Sequence, residues 1–177
     1  YFNAFAADWD NTAFWGSGNS LTAVVDLCRY SNRTCGLEGI VDTVTSEKPA
    51  AVVLLLADGS WDDALWWALA YVGAYEVFGN SSHLEAARTV FDYVYGRAWD
   101  DTCGGGLWWS SRNQYKNAVT NELAIDAAAR LYAATSNATY LATAQRVGDW
   151  FLNSGMLNEH GMVDDGLTSG CQNNGDP

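Results

Sequence analysis

An all-α fold assembled from helical hairpins is what the sequence predicts, on three observations. Apolar residues recur every three to four positions over most of the chain. Only two prolines occur in 177 residues while 49% of residues are hydrophobic, a balance that suits packed helices better than a loop-rich sandwich. A unit of helix, short asparagine turn and helix also recurs: Gly79-Asn80-Ser81-Ser82-His83-Leu84-Glu85-Ala86-Ala87 aligns with Ser136-Asn137-Ala138-Thr139-Tyr140-Leu141-Ala142-Thr143-Ala144, an offset of 57 residues from Asn80 to Asn137. Ser31-Asn32-Arg33-Thr34-Cys35-Gly36-Leu37 is a fainter third member. Hairpins repeated in this way, with long loops on the opposite end, build an α-solenoid or a closed α/α toroid. Either way the short turns gather at one end and the long loops at the other.

Taken in order, Ser20 to Cys28 reads as a helix that ends in a polar turn, and a second helix follows from about Leu37 to Thr45. Ala50 to Ala57 is apolar throughout and fits a buried strand as well as a helix; without a nearby strand partner it reads as helix. The next helix, Trp61 to Phe78, carries Leu65, Leu69 and Val72 on one stripe, with Ser60 or Asp62 as its N-cap. Asn80 then introduces a helix from Leu84 to Tyr95. A long loop follows, opened by Cys103-Gly104-Gly105-Gly106 and carrying Trp108 and Trp109. Helices from about Asn117 to Ala134 and from Tyr140 to Leu152 form the second clear hairpin. The glycine- and Asn/Asp-rich tail from Gly155 reads as loop. At this length the whole is one domain with its own core.

The charge balance narrows the partners. With 9 basic against 21 acidic residues and a net charge of −12, nucleic acid and anionic membrane surfaces are disfavoured, whereas a neutral polymer such as a glycan is compatible. No apolar run approaches the ~18 residues of a spanning helix, so the chain reads as soluble. Tyr1-Phe2-Asn3 has neither a basic n-region nor an apolar h-region, so any targeting signal is expected to have been removed or never to have been part of the chain. Cys28, Cys35, Cys103 and Cys171 match no zinc spacing, and His83 and His160 lie near none of them, so no metal is expected. Three disulfide connectivities are possible; Cys28–Cys35, closing a short loop after a helix, and Cys103–Cys171, tying two distant loops, are the favoured pairs. Sequons at Asn32, Asn80 and Asn137, all in turns, agree with a secreted, N-glycosylated protein. No Gly-x-Ser-x-Gly elbow, phosphate loop or His-Glu-x-x-His motif is present, and no cofactor is implied.

The long-loop end collects the unusual chemistry. Asp62 and Asp63 fall in the first turn of their helix, where carboxylates offset the positive helix end whatever else they do. Here Trp61, Trp66 and Trp67 lie nearby in sequence, and carbohydrate sites combine flat aromatic surfaces with carboxylates; cleaving a glycosidic bond needs one carboxyl to protonate the leaving oxygen and a second to attack the anomeric carbon or activate water. Adjacent helical residues point about 100° apart, so both reach one sugar only where a groove crosses the helix end. Trp108 and Trp109 are divided between stacking on sugar and closing the core. Tyr115, Lys116, Asn117 and Asn121 offer donors and acceptors for sugar hydroxyls, or are ordinary loop and helix-start residues. Asp165 grips substrate or belongs to an Asp-Gly turn.

Asp62-Asp63 followed by Leu65-Trp66-Trp67, then Trp99-Asp100, Cys103-Gly104-Gly105-Gly106-Leu107-Trp108-Trp109, Tyr115-Lys116-Asn117, Asn121 and Asp165-Gly166, resemble glycoside hydrolase family 76, the endo-α-1,6-mannanases, in their fungal secreted form. The similarity runs from about Trp15 to Cys171; its most specific part is the Cys-Gly-Gly-Gly-Leu-x-Trp block followed by Tyr-Lys-Asn. The resemblance implies a toroid of six helical hairpins, an (α/α)6 barrel, with retaining, endo-acting cleavage of α-1,6-mannan in a groove across the long-loop face. By position it makes Asp62 the nucleophile and Asp63 the acid/base, with Trp61, Trp66, Trp108, Trp109, Tyr115, Lys116, Asn117, Asn121 and Asp165 toward substrate. It implies that residues 1–177 form a single catalytic-domain segment supplying about the first three hairpins. A missing C-terminal half or a second copy would complete the ring. It places the protein outside the cell or in the cell wall. The family includes fungal cell-wall proteins that act as transglycosidases on the mannose of glycolipid anchors, so transfer is the alternative to hydrolysis, and a non-catalytic mannan-binding protein is the alternative to both.

Overall fold

The computed structural model describes residues 2–3, 8–9, 14–31, 35–56 and 59–176, and seven α-helices among them carry the fold. They are α1 Phe14–Tyr30, α2 Glu38–Glu47, α3 Ala50–Leu56, α4 Trp61–Phe78, α5 Ser81–Ala98, α6 Ala118–Thr135 and α7 Ala138–Asn153. Two short antiparallel pairs accompany them, β1 Phe2–Asn3 with β2 Asp8–Trp9 and β3 Tyr115–Asn117 with β4 Gly166–Thr168. The fold is all-α, and its organising helix is α4. Trp61, Leu65, Trp67, Ala68, Tyr71, Val72 and Val77 on its different faces are all buried. A helix apolar around most of its circumference needs neighbours on several sides, and α1, α5 and α6 supply them.

Residues at the two ends of α1, α4 and α6 show that these three helices run parallel. Trp15, Asp62 and Val119, near their N-termini, line one groove. Near their C-terminal ends Glu76 joins the other two: Arg29 Nη2 donates to Glu76 Oε2 at 2.8 Å, and Arg130 donates through Nε and Nη2 to the same carboxylate at 2.9 and 2.8 Å. Helices α5 and α7 run back against them. The α4–α5 turn bends at Gly79, left-handed at φ 72°, and Asn80 caps α5 by accepting the Ser82 N–H. In the second hairpin Ser136 takes the left-handed position and Asn137 caps α7 through the Thr139 N–H. The short turns therefore gather at the Glu76 end and the long α5–α6 loop at the Asp62 end.

Both disulfides pair as favoured, Cys28–Cys35 and Cys103–Cys171. The sequon at Asn32 lies outside the described residues; Asn80 and Asn137 are exposed helix caps. One expectation needs correcting. The tail is more than loop: Leu167 pairs with Lys116 in the β3–β4 ladder and buries itself with Ala118, Trp150, Phe151 and Met156 in a second small core. Gly166-Leu167-Thr168 is too short to reveal strand alternation, and its partner lies some 50 residues upstream, which is why the sequence reads as loop. Among the described residues no helix is long and apolar enough to cross a membrane.

Candidate active site

Ser60 sits at the N-cap position of α4 in extended backbone, yet its side chain makes no cap. The first helical N–H, that of Trp61, donates instead to the Trp109 carbonyl at 2.8 Å, so the α5–α6 loop is docked onto the helix start. Both acids of the first turn then lie beside that loop. Asp62 accepts the backbone N–H of Asp63 on Oδ1 at 2.9 Å and the indole N–H of Trp109 on Oδ2 at 3.0 Å. Asp62 and Asp63 border a groove of about 360 Å³ whose other walls are Trp15 from α1, Trp66 from α4, Trp109 from the loop and Val119 from α6. Trp15 and Trp109 remain 46% and 41% exposed, so part of each side chain is open to solvent.

The two carboxyls occupy different environments. Burial pushes Asp62 upward, but the Asp63 N–H and the Trp109 indole, which favour the charged form, oppose it. Asp63 has burial and then the neighbouring Asp62 charge acting in the same direction, and is pushed up to about 6. One carboxyl is thus provided with donors for its anion while the other holds its proton into mildly acidic pH, the division of labour that acid–nucleophile chemistry uses.

The loop that presents Trp109 is held from inside by Lys116. Fully buried, its ammonium lies 2.7 Å from Asp100 Oδ1 and within 3.3 Å of the carbonyls of Asp100, Thr102, Gly105 and Gly106. It also rests 4.6 Å from the Trp108 ring centroid. Burial pushes the Lys116 ammonium down while Asp100 pushes it up; for Asp100, burial raises the carboxyl but Lys116, Trp108 and the Thr102 N–H together hold it down to about 2. Gly106 is required where it stands: at φ 91° a Cβ would lie 2.3 Å from the Trp150 ring. Asn121 from α6 clamps the next residue, accepting the Leu107 N–H at 2.8 Å and donating to the Leu107 carbonyl at 3.0 Å.

The expected site residues therefore divide. Asp62, Asp63, Trp66 and Trp109 meet at the groove. Lys116 and Asn121, expected to hold sugar hydroxyls, are sealed inside the loop with their polar atoms spent on its backbone. Asn117 caps α6 by accepting the Thr120 N–H, and Trp108 is buried with its indole N–H on Asp100. Trp61 is buried against Tyr93. Tyr115 stands edge-on to Trp109 and donates its hydroxyl to the Asp165 carboxylate, which also accepts the Asn174 amide at 2.9 Å. Burial, then Asp165, raises the Tyr115 hydroxyl. Sequence reasoning missed Trp15 and Val119; their only signal is that each sits within two residues of the start of a helix parallel to α4. Among the described residues no cluster of His, Cys, Asp or Glu is arranged to hold a metal ion.

Comparison with known proteins agrees with this architecture. Mannan endo-1,6-alpha-mannosidase DCW1 of Candida albicans is 31% identical over 180 residues, covering 90% of this chain and 40% of its own length. The GH76A alpha-1,6-mannanase of Salegentibacter sp. HEL1_6 superposes with a TM-score of 0.79 at 19% identity, over 95% of this chain and 51% of that one, which shows the α/α toroid fold. An inactive variant of that mannanase, with two consecutive aspartates changed to asparagine, matches equally well at 17% identity and was solved with alpha-1,6-mannotriose. The chain thus spans about half the length of the relatives it matches. The model of Glycosyl hydrolase family 76 matches residues 5–176, and the chain belongs to that family.

Proposed function

We propose that this chain carries the catalytic pair of a retaining, endo-acting enzyme for α-1,6-mannan. Asp62 attacks C1 of the mannose on one side of the scissile bond while Asp63 gives its proton to the departing O6. An ester joins C1 to Asp62 until a hydroxyl compound, deprotonated by Asp63, displaces the carboxylate and restores both groups. The observation that carries the reading is the pair itself: two consecutive carboxyls with opposite hydrogen-bonding environments, bordering a groove walled by Trp15, Trp66 and Trp109. That loss of two consecutive aspartates inactivates a mannanase of the same fold supports it. The inner wall formed by α1, α4 and α6 is completed by a further segment of the protein or by a second copy. Two disulfides and the sequons at Asn80 and Asn137 favour a secreted, cell-wall location.

The test is the release of reducing ends from α-1,6-mannan by the intact protein. Wild type should cleave internally, with kcat/KM falling above about pH 6 as Asp63 loses its proton. Asp62→Asn and Asp63→Asn should each cost roughly 10²–10⁴-fold in turnover with the fold intact. A double-digit percentage of residual activity in either variant would refute the roles. Binding of mannan without new ends, unchanged in Asp62→Asn, would establish a binding protein instead. Products longer than the substrate, formed when mannose acceptors are added, would identify transfer.

A further inference from the structure

Resting on that reading of the pair, we propose that Trp109 is a positioning residue that assigns the two aspartates their roles. Its indole N–H and the Asp63 backbone N–H together grip both oxygens of Asp62, while among the described residues no donor reaches the Asp63 carboxyl. A tryptophan that only stacks on sugar needs a ring face; this one also aims its single donor at a carboxylate. Two donors favour the anion on Asp62 and fix its rotamer, and the charge kept there disfavours a second one on Asp63.

The indole cannot swing away cheaply. The Trp109 backbone is bonded on both sides, its N–H to the Tyr115 carbonyl and its carbonyl to the Trp61 N–H, each at 2.8 Å. Tyr115 stands edge-on to the ring at 6.1 Å between centroids and is itself tied to Asp165 across the β3–β4 ladder. The Cys103–Cys171 disulfide closes the same unit from behind. The titratable groups coupled to Asp62 are Asp63 on its own helix and Tyr115 on β3, with Asp165 and Asp176 beside Tyr115; Arg112 of the same loop lines a separate pocket with Ser60 and Trp109. Among the described residues no cation bonds to Asp62, so the neutral donors carry the task of stabilising the charge.

Trp109→Phe in the intact protein keeps a flat ring and removes only the donor. On α-1,6-mannan it should lower kcat roughly ten-fold or more, change KM less than about two-fold, and move the acidic limb of kcat/KM up by about one pH unit, because losing a donor raises the pKa of the carboxylate it served. Wild-type kcat and an unmoved acidic limb, with any loss confined to KM, would overturn the proposal and leave Trp109 a stacking platform. A second readout is independent of turnover. In ¹⁵N NMR spectra the Trp109 indole resonance should shift with pH along the Asp62 titration in wild type and lose that titration in Asp62→Asn. An indole signal that ignores pH, or titrates identically in the variant, would overturn the inference even if the protein proves inactive on mannan.

Discussion

Lys116 shows how far a single letter can mislead. In sequence, a lysine between Tyr115 and Asn117 on the long-loop end is as good a sugar ligand as any. In the structure its ammonium faces five oxygens and none of it reaches solvent. The signal that separates the two readings is the run Cys103-Gly104-Gly105-Gly106, all four at positive φ, whose inward carbonyls need a donor from elsewhere. The acid pair was legible because a helix start and a cluster of tryptophans are both local; the donors to Asp62 were not, because Trp109 arrives from 47 residues away. Lys116→Met should leave the loop carbonyls without their shared donor and take the cation from Asp100, and cost roughly 3–5 kcal/mol in a denaturant titration. Loss below about 1 kcal/mol would mean that water replaces the ammonium. Asp100 adds a pH dependence of definite sign. Its folded pKa is depressed to about 2 from an ordinary 3.8, so its contribution is present above about pH 4 and is lost as pH falls toward 2.

Helices were the legible elements and strands were not. The apolar spacing finds six of the seven helices, α3 being read as helix only for want of a strand partner, and the structure extends the fifth, Leu84 to Tyr95, to Ser81–Ala98 because Asn80 caps it and the chain continues until Trp99 turns extended. α1 likewise begins at Phe14 rather than Ser20. The β3–β4 ladder escaped because three-residue strands acquire their identity from a partner, not from periodicity. That ladder, with the Cys103–Cys171 bond, joins the Trp109 platform to the tail. Replacing both cysteines by serine should cost about 4 kcal/mol if the 68-residue separation acts through chain entropy, read as a lower midpoint in thermal or denaturant unfolding. It should also lower turnover, since Tyr115 and Asp165 lose their anchor. An unchanged midpoint would mean that the ladder alone holds the tail.

At the scale of the molecule, the 57-residue repeat between Asn80 and Asn137 announces hairpins but not their curvature, so a solenoid and a ring are equal on the sequence alone. Three parallel helices meet at Glu76 on one end and at the groove on the other, and the superposition on a toroid mannanase decides for the ring. Leu27 and Tyr30 on α1, Leu152 on α7, and Met162 and Val163 in the tail are apolar side chains left exposed away from the groove. The acid pair stands at one rim and the asparagine caps at the other, so a glycan attached at the sequons of Asn80 or Asn137 would leave the groove clear. What remains decisive is the proposed covalent bond between Asp62 and sugar. It is tested most directly by treating the intact protein with a fluorinated α-mannosyl fluoride, which turns over slowly enough to trap the glycosyl ester, and mapping the adduct by peptide mass spectrometry. One fluoromannosyl adduct is expected on Asp62, absent in Asp62→Asn. An adduct on Asp63, or none while the protein still cleaves mannan with inversion, would contradict it.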